Sequence, residues 1–178
     1  GVGVPSETSL GWPGVARTQG DRLIFGPEAD AAWFVHPRDV SHLFWEKLSH
    51  EPSELSLDGN PYSCSQLAFY SLRDYLKRIT ADTGAPDRIA LAVPGRYLRD
   101  AATEEEKIGL LLGMAAELKL PLTGITDMAC AALGEPAARQ LPRAAPIIHV
   151  DVHLHASEIS LLRQEDRLVR KRYHHIPQ

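Results

Sequence analysis

The chain has 178 residues, a length typical of one domain or slightly more than one. Its 19 Lys and Arg against 23 Asp and Glu give a formal charge of −4, so no basic surface for nucleic acid is expected. An apolar fraction of 44% with 24% charged residues is ordinary for a folded domain. No apolar run approaches the ~20 residues of a membrane span, so we expect contact with neither nucleic acid nor membrane.

The sequence also gives expectations about location. The first residues lack a basic segment followed by an apolar stretch, so no signal peptide is expected. The two cysteines, Cys64 and Cys130, are too few for a disulfide scaffold, which favours a reducing, cytoplasmic location. The first residue is Gly1 and not a methionine, which predicts that the chain is an excerpt of a longer protein.

The first part of the chain predicts short elements. Residues 21–26 are typical of a strand closed by a glycine, and Pro27 favours a helix over residues 27–34. Asp39 is a candidate N-cap for a helix over residues 40–48. The turn-rich residues 51–62 predict a surface loop.

Stronger signals begin with a long helix. Ser63 and Gln66 form a capping box at its start, and Gly84 follows its last turn. Apolar residues at helical spacing predict one buried stripe, made of Ala68, Leu72, Tyr75, Leu76 and Ile79.

A strand–helix–strand pattern follows. Residues 89–93 are a continuous apolar run, typical of a strand covered on both faces. Thr103 and Glu106 form a second capping box at the start of the next helix. A strand at residues 122–125 completes a βαβ unit, which implies parallel pairing, and a helix over residues 127–133 comes next.

The last part of the chain predicts a change of architecture. Residues 135–146 contain three prolines and are typical of a linker. Beyond it, residues 147–152, 158–162 and 167–173 predict three strands. The fold class predicted for the chain is therefore α/β.

Three histidines and an aspartate alternate along one stretch. In a strand, His149, Asp151, His153 and His155 share one face, and imidazole and carboxylate groups are ligands for zinc, iron or nickel. The pattern resembles the first-strand metal motif of amidohydrolase barrels, although only 23 residues follow His155. A metal-binding protein is one hypothesis, and a solvated strand end with polar residues is the alternative.

Several stretches of the chain follow one another in the order of the elements of a known family. Leu91-Ala-Val-Pro94 resembles the end of a family strand, and Asp127-Met-Ala-Cys-Ala-Ala132 resembles the helix after the next strand. Ile147-Ile-His-Val-Asp151 is similar to the strand before the family's glycine-rich phosphate loop. Upstream, residues 22–29 resemble a family strand and helix, and Phe44-Trp-Glu-Lys47 resembles a segment that carries a catalytic lysine. In this order, the stretches resemble the ATPase domain of DnaK-type heat-shock chaperones, within the actin-like ATPase superfamily.

The resemblance covers most of residues 5–173 and implies an architecture. Residues 1–146 would form most of lobe I of an actin-like (ribonuclease H-like) ATPase domain, with a mixed sheet and the βαβ unit. The N-terminal phosphate-loop strand of the family is missing from this lobe. Residues 147–178 would form the first strands of lobe II.

The resemblance also implies roles for three charged residues. Lys47 matches the lysine near the γ-phosphate of ATP, Asp127 the glutamate that positions Mg²⁺ and water, and Asp151 the aspartate that orients the attacking water or the metal shell. A cation and two carboxylates suit phosphoryl transfer, which needs charge neutralisation and a positioned water. The alternatives are a solvated lysine, a helix N-cap and a polar strand end.

The phosphate-binding loop departs from the family. His153, Leu154, His155 and Ala156 stand where the family has three glycines and a threonine, and side chains there disfavour a backbone anion nest. We therefore expect a DnaK-like chaperone-type ATPase domain fragment in which binding and hydrolysis of ATP with Mg²⁺ are weak or lost. Protein clients or co-chaperones are the implied partners, and a non-catalytic interaction scaffold on the same fold is the alternative.

Overall fold

A computed structural model describes residues 11–51, 54–134, 146–152, 156–165 and 168–177. The chain divides into two compact units between Ala85 and Pro86. Each unit combines helices with small sheets, which confirms the predicted α/β class. The predicted lobe boundary at residues 146 and 147 stays a prediction.

The first unit begins with a three-stranded antiparallel sheet in the order β2-β1-β3. Its strands are β1 Ala16–Gln19, β2 Arg22–Phe25 and β3 Val40–Ser41. The predicted strand at 21–26 is thus confirmed as β2. A buried apolar cluster forms beside the sheet from Val15, Ala29, Ala32 and Val40.

The helices predicted around this sheet are shorter than expected or absent. α1 spans only Pro27–Ala31, and a 3-10 helix follows at Pro37–Asp39. The helix predicted over residues 40–48 is wrong, because Val40 pairs with Arg17 of β1. Val40 is β-branched and buried, so its place in the sheet outweighs the capping potential of Asp39.

The predicted loop at residues 51–62 is also wrong, since it contains a β-hairpin. β4 Glu54–Leu57 and β5 Asn60–Ser63 pair antiparallel across a two-residue turn. Asp58 and Gly59 have φ values of 49° and 78°, the positive angles that a type I′ hairpin turn requires. The alternation of buried and exposed residues along β4 matches a half-buried strand.

The long helix α2 spans Cys64–Thr83 and ends, as predicted, at Gly84, whose φ is 81°. Ser63 is its N-cap but makes no side-chain capping hydrogen bond, so the predicted capping box is wrong. The buried side chains lie in the first half of the helix and include only one member of the predicted stripe: Cys64, Leu67, Ala68 and Ser71.

The second unit opens with a strand, a helix, a strand and a short helix. These are β6 Ile89–Val93, α3 Ala101–Glu117, β7 Leu122–Asp127 and α4 Met128–Ala132. β6 and β7 pair in parallel, which confirms the predicted βαβ unit. Ala90 and Ala92 are exposed, so the expectation that both faces of β6 are covered is wrong.

Asp100, and not Thr103, caps α3. The Asp100 carboxylate accepts hydrogen bonds from the backbone N–H and the hydroxyl of Thr103, each at 2.9 Å. The predicted capping box of Thr103 and Glu106 is therefore wrong, and the helix begins earlier than predicted. A 3-10 helix, Gly95–Leu98, occupies part of the segment between β6 and α3.

This cap predicts a pH dependence of stability. The backbone hydrogen bond from Thr103, followed by the side-chain hydrogen bond from the same residue, lowers the pKa of Asp100 below its ordinary value. A folded-state pKa below the unfolded one gives stability that is present above about pH 4 and is lost as the pH falls through the folded pKa. We expect Asp100→Asn to flatten the acid limb of stability against pH, measured by urea unfolding. An unchanged slope in the variant would contradict this.

The second unit ends in a separate antiparallel sheet with the order β10-β9-β8. Its strands are β8 Ile147–Val152, β9 Ala156–Glu165 and β10 Leu168–Pro177, which confirms the three predicted strands. The predicted linker lies, except for Pro146, outside the described residues. No helix in the described ranges has the length and apolar character needed to cross a bilayer.

Candidate functional site

Asp127 lies at the carboxyl end of β7, opposite Val93 at the end of β6. It is buried, and its Oδ1 accepts a hydrogen bond of 2.7 Å from the backbone N–H of Ala129. The side chain is therefore the N-cap of α4, which is one of the two roles that the sequence left open. The strand-to-helix junction places this carboxylate where the parallel strands end.

The two roles of Asp127 predict different results for two variants. Asp127→Ala removes the acceptor and is expected to lower the free energy of unfolding by about 1 kcal/mol. Asp127→Asn keeps a capping oxygen and is expected to change the free energy of unfolding by only about a few tenths of a kcal/mol, since asparagine caps helices well. Chemical denaturation of both variants checks this, and equal losses would contradict the capping role.

A buried ion pair joins the segment after β6 to β9. Arg96 Nη1 donates to Glu158 Oε1 at 2.9 Å, and the backbone N–H of Gly95 donates to Glu158 Oε2 at 2.9 Å. The two side chains are only 14% and 4% exposed. Both carboxylate oxygens thus receive a donor in a region of low solvent access, which makes the pair strong and specific in geometry.

Asp151 lies directly opposite Glu158 in the β8–β9 ladder and is half-buried. His149 lies two residues earlier on the same face, opposite Ser160. α4 contacts both β8 and β9, so the helix capped by Asp127 packs on the strands that carry Asp151 and Glu158. The second unit therefore brings together the elements that carry Asp127, Asp151 and Glu158, and of these three carboxylates Glu158 is the one paired with Arg96.

Lys47 lies in the first unit, in a turn after β3, and its side chain is exposed. Its backbone N–H donates to the carbonyl of Leu43 at 2.9 Å. Within the predicted helix over residues 40–48, the structure thus forms a turn at residues 44–47. The role of Lys47 near a phosphate stays a prediction.

The predicted phosphate-loop residues His153, Leu154 and His155 lie outside the described residues. Ala156 is described as the first residue of β9, where it pairs with Pro177 of β10. In the part of the chain that the structure describes, no three His, Cys, Asp or Glu side chains form a group that could hold a metal ion. Of the four residues proposed as metal ligands, His149 and Asp151 are the two within that part.

No protein-family model matches the chain, and no curated protein matches its sequence significantly.

The sequence assigned no role to Arg96 and Glu158. Glu158 is a charged residue in a strand whose neighbours on the same face are Ser160 and Leu162, both buried. A carboxylate on the buried face of a strand needs a cation or several hydrogen-bond donors, so the alternation of residues along β9 predicts such a partner for Glu158. The sequence does not identify that partner, since Arg96 comes from an element 62 residues away.

Proposed function

We propose that the chain is a DnaK-like, actin-fold ATPase domain fragment in which ATP binding and hydrolysis are weak or lost. One observation carries this proposal. β6 and β7 pair in parallel through α3, an aspartate at the end of β7 opens α4, and an antiparallel β8–β9–β10 meander follows. This is the order of elements that the sequence resemblance implies.

A glycine in the first unit supports the same proposal. The resemblance aligns residues 22–29 with a family strand and helix joined by a glycine, with an alanine three residues later. Gly26 has a φ of 70°, and the Cβ of any other residue would lie 2.5 Å from Trp12. Ala29 is completely buried. Both positions of this motif therefore have a physical requirement for the residue that the motif contains.

The described residues fit Mg-ATP poorly, which supports weakened chemistry. Asp127 uses one carboxylate oxygen to cap α4, and Arg96 directs its cation at Glu158. In the sequence, residues 153–155 are two histidines and a leucine where the family has glycines, and side chains there disfavour a backbone that binds phosphate.

The test is titration calorimetry of the chain with Mg-ATP, together with a sensitive phosphate-release assay. We expect a Kd no tighter than about 100 µM, which corresponds to a binding free energy of roughly −5.5 kcal/mol. We also expect turnover indistinguishable from that of the Asp151→Asn variant. Micromolar binding and turnover that both disappear in Asp151→Asn would refute the loss of chemistry while supporting the ATPase family.

A second candidate function is a non-catalytic interaction scaffold on the same fold, with protein clients or co-chaperones as partners. The observation that favours it is the outer face of β8, where Ile148, Val150 and Val152 are 66%, 55% and 70% exposed. Exposed apolar residues in a contiguous patch are typical of interaction sites. Weak binding of Mg-ATP that is measurable at millimolar nucleotide favours the ATPase fragment, whereas no detectable binding at those concentrations, with the chain folded, favours this scaffold.

A further inference from the structure

β8 has an unusual distribution of side chains. Its half-buried face carries Ile147, His149 and Asp151, whereas its exposed face carries Ile148, Val150 and Val152. On the neighbouring strand, Leu161 extends the exposed face and is 40% exposed. The face that meets solvent is thus the more apolar one, the reverse of the usual pattern for a sheet with one solvated side.

β8 is also the edge strand of the described β10-β9-β8 sheet. An edge strand directs half of its backbone N–H and C=O groups away from its neighbour and so offers a template for another strand. Residues 147–152 include no lysine, no proline and no bulge, which are common devices that protect edges. The remaining device is the charge of Asp151, which disfavours pairing unless the incoming strand supplies a matching group.

The sequence of β8 supplies that matching group itself. In an antiparallel pair of strands, residues directly opposite each other have their side chains on the same face of the sheet. When two copies of β8 pair about a two-fold axis, residues of the half-buried face therefore stand opposite each other, and so do residues of the exposed face. Centring the axis on Val150 places His149 of one copy opposite Asp151 of the other, twice. The exposed face then gains the apolar pairs Val150–Val150 and Ile148–Val152.

The neighbouring registers are worse. Centring the axis on His149 places two imidazoles together and sets Asp151 against Ile147. Centring it on Asp151 places two carboxylates directly opposite each other, which is destabilising. Only the register centred on Val150 combines two imidazole–carboxylate pairs on one face with apolar pairs on the other.

We propose that β8 is a self-association edge, through which two copies of this chain pair antiparallel about Val150 to form a continuous six-stranded sheet. The two pairs of imidazole N–H donor and carboxylate acceptor select a second copy over other strands. The exposed apolar side chains gain cross-strand partners at the same time. This inference does not depend on the proposed ATPase family.

The first test measures the dimerisation constant of the whole chain by sedimentation over a wide concentration range. His149→Asp sets two carboxylates opposite each other at both symmetric positions, and Asp151→His replaces each imidazole–carboxylate pair with two imidazoles. We expect each variant to weaken association at least about tenfold. The double variant His149→Asp with Asp151→His exchanges the two residues, which restores the imidazole–carboxylate pairs, and is expected to return association to within about threefold of the original. Circular dichroism verifies that all four proteins are folded.

Two outcomes overturn the proposal in this test. One is a chain that stays monomeric at every concentration. The other is a dimerisation constant that the single variants leave unchanged, or a double variant that associates as weakly as the single variants. Either result places the contact elsewhere. A dimer built by packing the apolar faces together would belong to this second class.

The second test uses cysteine cross-linking in a Cys130→Ser background, because Cys130 is only partly buried. Opposite residues of an antiparallel pair have Cα atoms about 4.5–5.5 Å apart, within the range of a disulfide. Val150→Cys is therefore expected to form a disulfide-linked dimer on mild oxidation. Ile148→Cys is the matched control, equally exposed but four residues from its own symmetry mate, about 13 Å along the strand. Equal cross-linking of the two variants would overturn the register.

Discussion

Arg96→Ala is expected to lower the free energy of unfolding of the chain by about 3–5 kcal/mol. The substitution leaves the carboxylate of Glu158, which is only 4% exposed, without its cation in a region of low solvent access. Removing one member of a buried ion pair costs more than the pair contributes, because the remaining charge stays desolvated. Chemical denaturation monitored by circular dichroism measures the loss.

Arg99→Ala is the matched control for this prediction. Arg99 also donates to a carboxylate at 2.9 Å, but Arg99 and its partner Asp100 are 64% and 51% exposed. Exposed ion pairs are screened by water and contribute little, so the control is expected to retain nearly all stability. If the two arginine variants lose equal stability, burial of the Arg96 pair is not what makes it important.

Gly26→Ala is expected to cost about 4 kcal/mol, as the sum of two effects. The φ of 70° and ψ of −141° at Gly26 form a combination that side chains resist, which costs about 1–3 kcal/mol. A Cβ would also lie 2.5 Å from Cε2 of Trp12, and forcing the indole aside costs about 1–3 kcal/mol more. Thermal or urea unfolding of the variant measures the sum.

Gly20→Ala separates these two effects. Gly20 has a φ of 59°, and no atom lies within 4 Å of the position of its Cβ. Only the backbone preference is then lost, about 1–2 kcal/mol. The difference between the two variants reports the contact with Trp12 together with the less favoured φ, ψ combination of Gly26, and a difference near zero would show that the indole moves without cost.

The elements with strong periodicity were predictable from the sequence. The apolar run 89–93, the amphipathic helix that follows and the strand at 122–125 gave the parallel βαβ unit, because short joints between such elements leave few other topologies. Gly84 marked the end of α2 for the same local reason, since its φ is 81°. Local chemistry was sufficient wherever a single residue determines the geometry.

Other elements depend on contacts that sequence reasoning did not include. Val40 joins a sheet because β1 provides a partner, and β1 itself was not predicted. The hairpin at residues 54–63 had a readable signal, Asp58-Gly59 after the alternating residues of β4, but the turn residues around it favoured a loop. At the start of α3 the sequence predicted Thr103 as the cap, whereas Asp100, which was not predicted, caps the helix through its carboxylate, which accepts from the backbone N–H of Thr103.

The candidate site was predictable in part. The position of Asp127 at a strand-to-helix junction follows from its sequence neighbours, and the structure places it there. The pairing of Asp151 with Glu158 follows from the register of β8 and β9, which a sequence alone does not fix. Arg96 reaches Glu158 across 62 residues of sequence, a contact that only the packing of the second unit creates.

The hydrogen bond from Gly95 to Glu158 allows one backbone amide to report whether the two sheets of the second unit open together. The N–H of Gly95 belongs to no strand ladder, yet it is buried and donates to a side chain from β9. Its exchange with deuterium therefore requires β9 to separate from the end of β6. If the protection factor of this amide equals those of β6 and β7, the two sheets of the second unit open in one step, as a single foldon.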